Sequence, residues 1–136
     1  MALVEWTKAL SVGVEQFDDQ HTRLIDMVNE LHDAMMNGKG TGALGGILAS
    51  LIDYTGTHFA DEERVLQANA YPGLAQHRLE HVKLVEQVKA LQKRFQVERG
   101  TVLTLDVMKF LKDWLVNHIQ TEDRKYGVFL NAKGVR

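Results

Sequence analysis

Five of the six histidines in this chain fall at spacings that a metal ion can use. They are His21, His58, His77, His81 and His118, and Glu62 falls with them. His77-x3-His81 sets two imidazoles one helical turn apart on one face. His58-x3-Glu62 sets an imidazole and a carboxylate at the same spacing. Imidazole nitrogen and carboxylate oxygen suit iron, copper, zinc or nickel, so residue type does not name the metal. Five histidines exceed the four ligands of a structural tetrahedral zinc ion. They suit two ions that share bridging carboxylates. The Glu-x-x-His pattern of ferritin-like di-iron bundles is missing, so the site is a different, histidine-rich kind. A single imidazole on an apolar face is usually a core residue with its own hydrogen-bond partner. Five of them would need five such buried partners, whereas one metal site satisfies them together.

These residues sit on helical stripes. His21, Leu24, Val28, Leu31 and Met35 step by three and four. So do Leu44, Leu48, Leu51, Thr55, His58, Glu62 and Val65. The third stripe is Leu74, His77, His81, Leu84, Val88, Leu91 and Phe95, and the fourth is Leu105, Met108, Leu111, Leu115, His118 and Glu122. Steps of three and four keep residues on one face of a helix. The breaks are a glycine-rich stretch at Gly38–Gly46, Tyr71-Pro72-Gly73, and Arg99-Gly100-Thr101 with Gly100 as a helix C-cap and Thr101 as an N-cap. They predict helices at about 19–37, 43–69, 74–97 and 102–125, preceded by an arm, 1–17, and followed by a tail, 127–136. Short connections between four amphipathic helices predict an all-α, up-down-up-down four-helix bundle forming a single domain over 1–136. The arm, with Trp6, Val12, Val14 and Phe17, is expected to pack across it. In such a bundle all five histidines and Glu62 fall toward the same end.

Composition excludes other classes. The chain has 136 residues, 45% hydrophobic and 25% charged, with a formal charge of −2. That lacks the basic surplus of a nucleic-acid binder. With no cysteine, thiolate metal sites, disulfides, iron–sulfur clusters and cysteine nucleophiles are ruled out. No apolar run reaches the roughly 18–20 residues of a membrane span, and no signal-peptide pattern is visible at the N-terminus. A cytoplasmic, monomeric protein without membrane insertion is the expectation.

The ordered set of motifs resembles the hemerythrin family, in particular the stand-alone bacterial hemerythrins. The matching pieces are Asp19-Gln20-His21-x-x-Leu24, His58-Phe59-x-x-Glu62-Glu63, His77-x3-His81 and His118-Ile119-x-x-Glu122-Asp123. Trp6 and Val12-Gly13-Val14 in the arm match as well. The resemblance implies a non-haem di-iron centre. His77, His81 and His118 would hold one iron, and His21 and His58 the other. Glu62 and Asp123 would bridge them together with an oxo or hydroxo group. The second iron would keep an open position where dioxygen binds and is held as a hydroperoxide. Helix geometry and resemblance differ at one position. Asp123 lies five residues after His118, about 140° round an ideal helix, so spacing alone selects Glu122. Asp123 rests on the resemblance, with Glu122 a solvated or supporting acid.

Leu24, Phe59, Trp114, Leu115 and Ile119 flank these positions. They are core residues that would also wall an oxygen pocket. None of them is an acid, a base or a hydroxyl, which favours reversible binding over oxygenation. Glu63 reads as solvated and His32 as a surface histidine. Gly56, in mid-helix, reads as allowing close helix contact. The resemblance thus implies dioxygen carriage or storage rather than an enzyme. The alternatives are an oxygen or redox sensor, for which the chain leaves no output module, and a di-iron enzyme with peroxidase-like or nitrogen-oxide activity. The protein that would receive the oxygen is not legible.

Overall fold

The computed structural model describes residues 3–38, 41–97 and 105–136. The chain folds into four long helices and no strands among the described residues. Helix α1 spans Glu15–Met36, α2 Thr41–Ala68, α3 Leu74–Val97 and α4 Leu105–His118. A π-helical turn, Ile119–Asp123, continues α4 directly into α5, Arg124–Ala132. Helix α1 packs on α2 and on α4, and α2 packs on α3. With short connections, this is the four-helix bundle expected from the stripes.

The core follows the stripes. His21, Leu24, Val28 and Leu31 are buried from α1, and Leu44, Leu48, Leu51, Thr55, His58 and Glu62 from α2. Helices α3 and α4 add His77, His81, Val88, Met108, Leu111, Leu115 and His118. Each fully buried apolar side chain contributes about 1.5–3 kcal/mol. That stabilisation carries the cost of burying polar groups at one end.

The boundaries differ where backbone geometry overrides composition. Gly42, Gly45 and Gly46 lie inside α2 rather than in a loop. The arm is shorter than 1–17, because α1 begins at Glu15 and takes in Phe17. The predicted caps Gly100 and Thr101 lie outside the described residues. The last helix does not end at 125. It runs through Gly127 to Ala132, so most of the expected tail is helix. Gly127 is a contact glycine and not a break. A Cβ there would lie 2.0 Å from the Val12 carbonyl oxygen.

That contact seats the arm. Asn29 Nδ2 donates to the Val4 carbonyl, and the Val4 N–H donates to Asn29 Oδ1. Asp18 accepts from the Ser11 hydroxyl and the Val12 N–H. Asn131 Nδ2 donates to the Gly13 carbonyl. A 3-10 turn at Lys8–Leu10 packs on the π turn, and the Arg124 guanidinium donates to the Ala9 carbonyl. Val4, Leu10, Val12 and Val14 are buried in the process, whereas Trp6 stays exposed. The arm thus braces the backbone that carries Asp123.

Candidate metal centre

All five histidines turn their Nε2 atoms inward onto two buried carboxylates. His21 Nε2 lies 3.2 Å from Glu62 Oε2 and 3.0 Å from Asp123 Oδ2. His58 Nε2 is 3.0 Å from Glu62 Oε2. His77 Nε2 is 3.3 Å from Glu62 Oε1 and 3.4 Å from Asp123 Oδ1. His81 Nε2 is 3.2 Å from Glu62 Oε1, and His118 Nε2 is 3.1 Å from Asp123 Oδ1. Every one of these seven residues is buried.

Their ligand atoms form two sets, each with all atoms within 4.8 Å of one another. One set is Glu62, His77, His81, His118 and Asp123. The other is His21, His58, Glu62 and Asp123. Both carboxylates belong to both sets. The sequence-predicted residues therefore come together, three histidines on one side and two on the other.

The π turn explains Asp123. A regular α-helix would turn Glu122 inward with His118. The π turn accommodates an extra residue and brings position i+5 onto the face of position i. Asp123 is buried, while Glu122 sits outward beside Lys125 Nζ at 3.4 Å. Glu122 is thus the solvated acid.

Protons alone do not satisfy this arrangement. His81 Nε2, His118 Nε2 and both Asp123 oxygens are buried with no aligned hydrogen bond. His118 and Asp123 are within ion-pair distance, yet form no hydrogen bond with one another. Such geometry suits atoms directed at a shared cation. Burial by itself would push the His21 imidazole down, but Asp123 and Glu62 outweigh it and raise it from 6.5 to about 10. Burial would raise Glu62, but His58, His21 and His77 hold it well below the usual carboxylate range. Burial and the Glu62 charge would likewise raise Asp123, but His118 and His21 lower it from 3.8 to about 2. Both carboxylates thus draw positive charge into the buried site, a demand that a bound cation meets. Five imidazoles and two shared carboxylates fit a pair of divalent or trivalent ions.

Three supporting residues escape the stripe argument. Gln20 Oε1 lies 2.5 Å from His58 Nδ1, and Gln20 Nε2 donates to Asp61 at 2.9 Å. Glu63 is not simply solvated: its Oε2 lies 2.9 Å from His81 Nδ1. Tyr126, fully buried, donates its hydroxyl to Glu62 Oε2. Burial and the Glu62 charge push that hydroxyl well above its usual range, so it stays a donor. Its signal was present in the sequence: Ile119, Asp123, Tyr126 and Leu130 step by four, three and four.

Leu24, Phe59, Leu115 and Ile119 are buried and Trp114 is partly buried. The Phe59 ring stacks on His81 at 3.7 Å and lies 6.1 Å from His118. Phe17 packs edge-on to His58 at 6.3 Å and to Tyr126 at 5.5 Å. Gly56 has open space beside it, so it permits no close helix contact. His32 lies outside the cluster, partly buried beside Asp33.

Comparisons with known proteins agree with the geometry. Residues 12–130 match the family model described as the hemerythrin HHE cation binding domain. A bacteriohemerythrin of Methylococcus capsulatus is 43% identical over 133 residues, 97% of this chain and 100% of that protein. Myohemerythrin-1 of Phascolopsis gouldii is 31% identical, covering 89% of each chain. A crystal structure of wild-type hemerythrin superposes with a TM-score of 0.86 at 42% identity, covering 93% of this chain and 96% of that one.

Proposed function

The chain belongs to the hemerythrin family, and from that premise we propose that it binds dioxygen reversibly, as a carrier or store, at a non-haem di-iron centre. In this reading His77, His81 and His118 would hold one iron, His21 and His58 would hold the other, and Glu62 and Asp123 would be shared between them. The observation that carries the reading is the pair of ligand sets sharing both carboxylates. When bound, the irons supply the electrons and the open coordination position that dioxygen requires. An oxo or hydroxo group would complete the centre in this proposal.

The chain's own part is to hold ligands and keep water out. The Tyr126 hydroxyl fixes one Glu62 oxygen. Gln20 orients His58, and Glu63 and Phe59 orient His81. Such outer partners set tautomer and ring orientation, so that Nε2 presents its lone pair inward. Leu24, Phe59, Trp114, Leu115 and Ile119 form an apolar wall. None of them can donate or accept a proton, so general acid–base chemistry on a substrate has no agent there. That supports binding over enzymatic turnover. Among the described residues no helix is long and apolar enough to cross a membrane.

The test is anaerobic reduction of the iron-loaded chain followed by oxygen titration, with iron counted per chain. About two irons, and a visible band that appears with oxygen and bleaches on its removal, are expected. Two irons with irreversible oxidation would overturn the carrier reading. A chain that takes up no iron would overturn the site.

A further inference from the structure

The two halves of the cluster are supported by outer partners of different charge. His81 Nδ1 faces the carboxylate of Glu63 at 2.9 Å. Glu63 is held from its other side by Arg78, whose Nε donates to Glu63 Oε1 at 3.1 Å. Arg78 Nη2 donates in turn to Gln67 Oε1 at 3.3 Å. This line of groups ties α2 to α3. Its inner end fixes His81 with the proton on Nδ1 and the lone pair on Nε2, and Phe59 stacked on the ring at 3.7 Å blocks rotation. On the other side His58 Nδ1 faces a neutral amide, Gln20 Oε1. The buried His21 Nδ1 has no partner at all.

A carboxylate that accepts from an imidazole N–H draws the proton toward itself and leaves the ring more electron-rich. A neutral amide does so far less. We propose that Glu63 is a positioning residue that strengthens His81 as a donor. It thereby makes the three-histidine half of the centre favour the ferric state more than the two-histidine half. Arg78 moderates the effect by neutralising part of the Glu63 charge. The proposal rests on the di-iron reading above. It assigns the two irons unequal reduction potentials and traces the inequality to one outer carboxylate.

Glu63→Gln tests it, because glutamine keeps an acceptor at nearly the same place and removes the charge. Wild type, Glu63→Gln and Arg78→Gln are loaded with ferrous iron under anaerobic conditions. Iron per chain, melting temperature and the stepwise reduction potentials are measured for each. Glu63→Gln is expected to retain two irons and to weaken the ferric preference of one iron about tenfold, an upward shift of about 59 mV for one electron. Arg78→Gln is expected to shift the same potential downward by less, since Glu63 then carries its charge unopposed. A purely structural link would move both variants in the same direction, through loss of the α2–α3 tie. Two irons with unchanged potentials in Glu63→Gln would overturn the proposal while leaving the di-iron reading intact. If Glu63→Gln fails to fold, Arg78→Gln decides alone: an upward shift or none overturns the proposal. Absence of iron from the wild-type chain would overturn both readings.

Discussion

Tyr126→Phe removes one oxygen from a fully buried ring and nothing else. The ring packs edge-on to Phe17 at 5.5 Å and to His77 at 5.4 Å, and phenylalanine keeps both contacts. What goes is the hydrogen bond to Glu62 Oε2. Glu62 is the carboxylate that both ligand sets share, and it is buried completely. A hydrogen bond to a charged group contributes about 1.5–3 kcal/mol, and a buried acceptor left without its donor costs toward the upper part of that range. The expected loss is about 2 kcal/mol. For a domain of this size roughly 3–5 °C accompanies each kcal/mol, so the melting temperature should fall by roughly 6–10 °C. Thermal unfolding by circular dichroism measures it, on the iron-loaded and the chelated protein. Tyr54→Phe is the control: that ring is partly buried outside the cluster, and its change should stay within about 0.5 kcal/mol. Because burial and Glu62 hold the Tyr126 hydroxyl well above its usual range, it donates throughout neutral pH. The difference between wild type and variant should therefore not vary between pH 6 and 9. A fall no larger than that of Tyr54→Phe would refute the claim that Tyr126 supports the bridging carboxylate.

Asp123→Ala should lower the iron count from two per chain to one or none, whereas Glu122→Ala should keep two; colorimetric iron analysis separates them, and the reverse result would place the π turn out of register. Chelation should lower the melting temperature by roughly 10 °C or more, since a ligand present at 1,000 times its dissociation constant contributes about 4.1 kcal/mol per site. The metal-free protein should lose stability in two pH windows. The folded pKa of His21 is raised to about 10, so its contribution is complete below 6.5 and disappears as pH rises through 10. That of Asp123 is lowered to about 2, so its contribution holds above 3.8 and disappears as pH falls through 2. Urea titrations across pH check both, and iron loading should abolish the alkaline loss because a ligating imidazole is neutral, with no proton on the nitrogen that binds the metal. Gly127→Ala drives a Cβ to within 2.0 Å of the Val12 carbonyl. It should destabilise the fold by about 1–3 kcal/mol and expose the arm to limited proteolysis.

The amino-acid sequence by itself determined the helices and the inward histidines. Helical periodicity is a local property, and the steps of three and four through His21, His58, His77, His81 and His118 survive any arrangement of the helices. Matching depth along antiparallel helices then brings them to one end of the bundle. Between Glu122 and Asp123 helical spacing chose the first and the resemblance the second, and the tertiary structure supplies the physical reason for Asp123. The π turn inserts one residue into a helix, and ideal 3.6-residue geometry cannot register such an insertion. Packing of the arm on that turn, and the approach of Val12 to Gly127, join segments more than a hundred residues apart in the chain. The same holds for the outer partners. Gln20 and Glu63 are adjacent to ligands in sequence, yet a helical neighbour one position away points about 100° elsewhere on its own helix. Their roles exist because His58 and His81 come from other helices and turn Nδ1 toward them. Tyr126 reaches Glu62 because the last helix continues past 125, where the sequence reading ended it.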